Sequence, residues 1–312
     1  MMGIQAPIPV SQMMESRSTM RLPHPAAIAG ILTLSFGIPS VSAMQAPAGA
    51  AAASPYTYAD IADLATAAPI VLHARIRDAT DLKPERAPGV AAGHVRFYVE
   101  ADVVSLIRGS GPLASRISYL VDLPLDARGK PPKLKKKQPV LIFAGPVAGS
   151  AAGANSTGSV RLIAPDAQLP WDSATEAQLR AILTELVKPG APPAITGIAN
   201  GFHVPGTLPG EGETQLFLNT STGDPVSLTV LTAADGSRRW AAAFGEIVDG
   251  SAAVPARDTL AWYRLACGLP RQLPLNKLAG TPPEDRRKAA SDYAVILGAL
   301  GDCTRTRKPL AD

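Results

Sequence analysis

Residues 95–103 alternate without a break. Val95, Phe97, Val99, Ala101 and Val103 are apolar, and Arg96, Tyr98, Glu100 and Asp102 stand between them. A period of two sends successive side chains to opposite faces of a strand, so this stretch belongs in an antiparallel sheet with one face buried and one wet. A helix would scatter the same apolar residues around its whole circumference. Beyond Ala101 the wet face turns apolar at Val104, Leu106 and Ile107, the mark of a bulge that re-aims the strand.

The neighbouring segments carry the same period. Ile70, Leu72, Ala74 and Ile76 face one way, and His73, Arg75 and Arg77 the other. Residues 116–122 read as a strand with Ile117, Tyr119 and Val121 inward. Residues 140–144 are wholly apolar, and 160–164 complete the set. Arg108-Gly109-Ser110-Gly111-Pro112 is a turn. Ahead of the strands, Tyr58, Ile61, Ala62, Leu64 and Ala65 recur at helical spacing, and Pro69 stops that helix. Five short strands, one long and bulged, predict a mainly β fold with helices, its first half a small OB-like β-barrel.

The run Ile70-Val71-Leu72-His73-Ala74-Arg75-Ile76 is followed by Val99-Glu100-Ala101-Asp102-Val103-Val104 leading to Arg108-Gly109. Then comes Pro139-Val140-Leu141-Ile142-Phe143-Ala144. This pattern resembles the tissue-inhibitor-of-metalloprotease and netrin-module type of OB-fold, over residues 55–168. The resemblance implies a five-stranded barrel. It does not carry the family's inhibitory activity, because those inhibitors chelate the protease metal through an N-terminal cysteine, and no cysteine stands near the start of this chain.

After the barrel, Asp172 or Ser173 is placed to cap a helix over 174–187, and Glu176 lies where a capping box on Ser173 wants it. Lys188-Pro189-Gly190 ends that helix, and Ala191-Pro192-Pro193 is a stiff connector. A domain boundary is expected here, giving 55–190 as barrel plus linking helix and 191–312 as an α+β domain. The second half reads as an antiparallel meander with strands at 195–204, 214–219, 226–232 and 239–248. Two helices follow. One is capped by Asp258 and runs through Cys267; the other covers 283–300, with Glu284 and Asp285 in its first turn as the helix dipole prefers.

Residues 20–43 address the chain rather than fold it. Arg21 precedes a short apolar run, Pro39 breaks it, and Val41-Ser42-Ala43 is a signal-peptidase pattern. The run is shorter than the about 20 apolar residues that span a bilayer. Cleavage after Ala43 is expected, with 44–54 an Ala-rich leader and the remainder periplasmic or secreted. Several methionines ahead of Arg21 are possible starts. The sequence has 2 cysteines, Cys267 and Cys303. In an oxidising compartment such a pair favours a structural disulfide over free thiols, and it lacks the Cys-x-x-Cys form of a redox pair.

A net charge of +4 is too weak for a nucleic-acid partner. The histidines show no metal-ligand spacing, so no metal and no cofactor are expected. Serine-hydrolase, Walker and dinucleotide signatures are absent. Two constellations remain. Glu246 shares a strand face with Trp240, Ala242, Phe244 and Val248, where aromatic neighbours would raise its pKa; with His203 and Asp249 it could form a dispersed hydrolase site. Equally, Glu246 could be a strand-end residue paired with Arg257 or Arg264. The second constellation is basic: His73, Arg75, Arg77 and Arg96 on polar strand faces, Tyr98 beside them, and Lys133, Lys135, Lys136 and Lys137 in one loop. Barrels of this type bind oligomers across such a face through cationic and stacking contacts; a merely solvated face is the alternative. The expectation is an exported, non-enzymatic binding protein of the cell envelope, with a protein or an anionic glycan as partner. A periplasmic hydrolase is the alternative.

Overall fold

The structure is a computed structural model that describes residues 55–110, 113–147, 158–245, 252–278, 280–308 and 310. The segment expected to be a signal peptide, and the leader up to residue 54, lie outside the described residues. Helix α1 (Tyr58–Ala67) begins with a capping box. The Thr57 hydroxyl accepts from the Asp60 amide, and the Asp60 carboxylate accepts from the Thr57 amide at 2.9 Å. Each side chain thus satisfies an amide that the helix itself leaves open.

Six strands follow: β1 (Ile70–Asp81), β2 (His94–Arg108), β3 (Arg116–Pro124), β4 (Pro139–Pro146), β5 (Val160–Leu162) and β6 (Gln168–Pro170). They form one antiparallel sheet in the order β3-β2-β1-β4-β5, with β6 pairing β4. Three bulges bend the β1–β2 pair. His73 opposes Ser105 and Ala74 opposes Val103, leaving Val104 extra; Ile107 and Arg77 are extra in the same way. Each extra residue resets which face the chain presents. Two of the three therefore fall where the period of β2 breaks down in the sequence.

The expected closed barrel is not formed. The two ends of the sheet, β3 and β5, share a single parallel bridge, Ser118 to Ser159, with the Ser118 amide donating to the Gly158 carbonyl at 2.7 Å. They are bonded again where the Asp122 amide donates to the Pro165 carbonyl at 2.7 Å, and between these points no ladder joins them among the described residues. The reason is local. β5 is only three residues long, and its continuation turns back to β4 through Ile163 N–H to the Phe143 carbonyl at 3.1 Å. So short a strand leaves little backbone on its other edge to build a ladder with β3.

Helix α2 (Ser173–Leu186) starts at Asp172, whose carboxylate accepts from the Thr175 amide at 2.8 Å. Asp172 is therefore the cap, and Glu176 makes no box with Ser173 because it is engaged by other partners described below. The second sheet is the expected meander: β7 (Ile195–Pro205), β8 (Gly212–Thr220), β9 (Val226–Thr232) and β10 (Arg238–Phe244), in the order β10-β9-β8-β7. The last residues expected in β10 lie outside the described residues. Helix α3 (Leu260–Gly268) is capped by Thr259, whose hydroxyl accepts from Trp262 N–H at 3.2 Å, rather than by Asp258. Asp258 instead has φ of 58°, a left-handed turn residue ahead of the cap. Helix α4 (Pro283–Leu300) has the bounds the sequence predicts.

The Cys267 and Cys303 sulfurs lie 2.00 Å apart, joining α3 to the chain just past α4. From there the C-terminal tail runs back to α1. Thr306 and Arg307 amides donate to the Asp60 carboxylate at 3.0–3.1 Å, and Arg305 grips Asp63 at 2.6 and 3.0 Å. Tyr263 on α3 also donates to Asp63, at 2.7 Å. Among the described residues no helix is long and apolar enough to cross a membrane.

Candidate functional site

The structure gathers four of the basic residues around one groove. Arg75 lies on β1, and Arg77 is the extra residue of a bulge two positions on. The lysine-rich loop before β4 is pinned across the edge of β1 by backbone bonds. Lys137 N–H donates to the Ile76 carbonyl at 2.6 Å, and Ile76 N–H to the Gln138 carbonyl at 3.0 Å. Lys137 has φ of 65°, an unfavourable conformation for a lysine that the two backbone bonds hold in place. Arg75, Arg77, Lys136 and Lys137 thereby line a groove of about 620 Å³ with Asp102 and Val104.

The electrostatics leave this groove positive. Asp102 is shared between Arg77 at 3.6 Å and Arg116 at 3.5 Å, and Lys136 reaches Asp78 at 3.3 Å. These pairs are exposed and individually weak. Arg75 and Lys137 have no carboxylate within ion-pair distance among the described residues. Lys133 and Lys135 are exposed on the same loop without lining the groove. Arg116 escaped the sequence reading, although its place opposite Asp102 follows from the β2–β3 register.

The other basic candidates are drawn elsewhere. Arg96 is held by Asp122 through two bonds, at 2.6 and 2.7 Å, and its third nitrogen donates to the Pro88 carbonyl at 3.1 Å. This pairing raises its already high pKa. Tyr98 lies with Arg96 along a second groove, at the seam between β3 and β5. His73 is buried beneath α2, its ring stacked on Trp171 with centroids 4.8 Å apart. Its Nδ1 is 3.6 Å from the Glu176 carboxylate, which also accepts from the Trp171 indole N–H and pairs with Arg180 at 2.6 Å. Burial pushes the His73 pKa down, Glu176 pulls it back in part, and Arg75 and Arg180 push it down further. The neutral imidazole is a structural wedge under α2 rather than a free cation.

Of the dispersed hydrolase candidates, Glu246 and Asp249 lie outside the described residues. Arg257 and Arg264, the alternative partners of Glu246, lie over the rings of Trp262 and Tyr263. His203 is buried between β7 and α4. The Thr214 hydroxyl spends its proton on Asp292 at 2.5 Å, so it accepts from His203 Nδ1 at 2.9 Å, which fixes the tautomer. Asp292 is also paired with Arg238 at 3.1 Å. Burial holds the His203 pKa down, although Asp292 pulls it up.

The Nε2 side of His203 packs over Gly212, where an added Cβ would fall 2.7 Å from Nε2. Gly212→Ala is therefore expected to destabilise by about 1–3 kcal/mol through overpacking, read as a lowered melting temperature. Among the described residues no three His, Cys, Asp or Glu are grouped to hold a metal. No protein-family model matches this chain, and no curated protein matches it either.

Proposed function

We propose that this is an exported binding protein whose basic groove holds an anionic glycan of the cell envelope. The observation that carries the reading is the convergence of Arg75, Arg77, Lys136 and Lys137 on one groove, from a bulged strand and a pinned loop. A surface that merely keeps a sheet soluble has no need to hold a lysine in a left-handed conformation beside two arginines. The pinned loop fixes where these side chains start, so their charges can converge on a repeating row of carboxylates or sulfates. Export is supported by the signal-like residues 20–43 and by a disulfide, which persists in oxidising compartments.

The test is a glycan panel applied to the purified chain: a polyuronate, a sulfated glycan and a neutral glycan of similar length. Binding of the anionic polymers with no binding of the neutral one is expected. Equal retention of all three, or of none, would overturn the reading.

A further inference from the structure

Along the seam where no ladder joins β3 and β5 runs a groove of about 610 Å³. Its two ends are fixed. One is the Ser118–Gly158 bond and the other the Asp122–Pro165 bond, four strand residues apart, or roughly 14 Å along β3. The floor is made by Tyr119, Val160 and Leu162, whose side chains belong to the hydrophobic core. Leu120 and Tyr98, directly opposite each other on β3 and β2, form an exposed wall, at 46% and 41% of their surface. The groove thus has exposed apolar side chains over a buried apolar floor, in a size range that suits small ligands.

Its polar groups are few and unequal. Arg96 and Asp122 neutralise each other at one end. Ser118 and Ser159 lie within hydrogen-bonding distance of each other at 3.2 Å. Arg161 projects from β5 on the exposed face, and among the described residues no carboxylate pairs with it. The groove therefore offers one uncompensated cation beside an elongated apolar slot.

We propose that this seam binds an amphiphile with a medium-length alkyl chain and an anionic head, the chain along Leu120 and Tyr98 and the head on Arg161. The alkyl chain would cover the exposed sides of Leu120 and Tyr98, gaining roughly 25 cal/mol for each Å² of apolar surface removed from water. The head would gain a charge-assisted bond at the rim, where Arg161 keeps its full complement of donors. This site is separate from the basic groove in its residues and does not rest on the glycan reading.

The experiment is titration calorimetry of the full mature chain with decanoate and with decyltrimethylammonium, both below their micelle thresholds. Saturable binding of decanoate at one site is expected, with the ammonium amphiphile at least tenfold weaker. Arg161→Glu is expected to weaken decanoate at least tenfold, and Leu120→Glu similarly. Both residues are exposed, so unchanged melting temperatures would show that the variants fold. Arg75→Glu, in the other groove, is expected to leave decanoate binding unchanged. No saturable decanoate binding, equal affinity for the ammonium head, or full affinity in both seam variants would each overturn the proposal.

Discussion

Asp60→Ala is expected to destabilise the protein by at least about 3 kcal/mol, the largest single-residue effect outside the apolar core. Asp60 is 1% exposed and accepts from Thr57, from the Thr306 amide and hydroxyl, and from the Arg307 amide. Burial alone would raise its pKa, but these donors outweigh burial and hold the carboxyl below the usual range. Removing it leaves several partly buried donors without an acceptor and takes away one of the two α1 carboxylates that hold the tail, leaving Asp63 with Arg305. Urea unfolding measures the loss. Limited proteolysis locates it, since cleavage within residues 304–308 should appear in the variant before any cut in the sheets. Asp60→Asn keeps one acceptor and should cost less. A variant as stable as the parent, with a protected tail, would show that the tail is not held by this carboxylate.

The second large effect is a two-step loss of stability in acid. His73 and His203 are both buried with pKa values below the ordinary 6.5. The unfolded chain therefore binds protons that the native one refuses, and stability falls as pH drops below about 6.5. Asp60, Asp172 and Glu176 supply the second step. In each, burial raises the pKa but hydrogen bonds more than reverse it, leaving the carboxyl below its usual value. Their contribution is present above about 4 and is lost as pH falls through the native pKa values. The melting temperature should be flat above pH 7, fall between 6.5 and 5, and fall again below 4, at about 2–4 °C per kcal/mol. His203→Gln should cost stability at pH 7 yet flatten the first step. A melting temperature unchanged from pH 7 to 5 would contradict the burial of both rings as neutral groups.

What was legible in the sequence was whatever depends on near neighbours. The helix from Tyr58 to Ala67 announces itself through its 3.6 period and its stop at Pro69. The bulges at Val104 and Ile107 show as a break in a period of two. Arg77 gives no such sign, because its extra position is defined only by pairing with β2. The open seam was illegible for the same reason, since β3 and β5 are distant in sequence and β5 is too short to show a period. β6 is shorter in signal still, three residues ending in a proline. The hold of Thr306 on Asp60 spans 246 positions and has no local pattern at all.

Among the site residues, the sequence could place Arg75, Arg77 and the lysine loop on exposed faces. It could not foresee that Asp122 would claim Arg96, or that Trp171 and Glu176 would cover His73. Those outcomes depend on which charged or aromatic side chain the fold brings alongside, not on the residue itself.

The most direct test of the basic groove is the affinity of a polyuronate measured across a salt series, for the parent chain and for Arg75→Glu/Lys137→Glu. Both substituted residues are free of ion pairs among the described residues, so the double variant should fold as the parent does. Screening shortens the reach of exposed charges to about 8 Å at physiological salt. Affinity should accordingly fall steeply with salt in the parent, be at least tenfold weaker in the variant at low salt, and lose most of its salt dependence there. Identical affinity and salt dependence in the two proteins would contradict the groove as the site of binding.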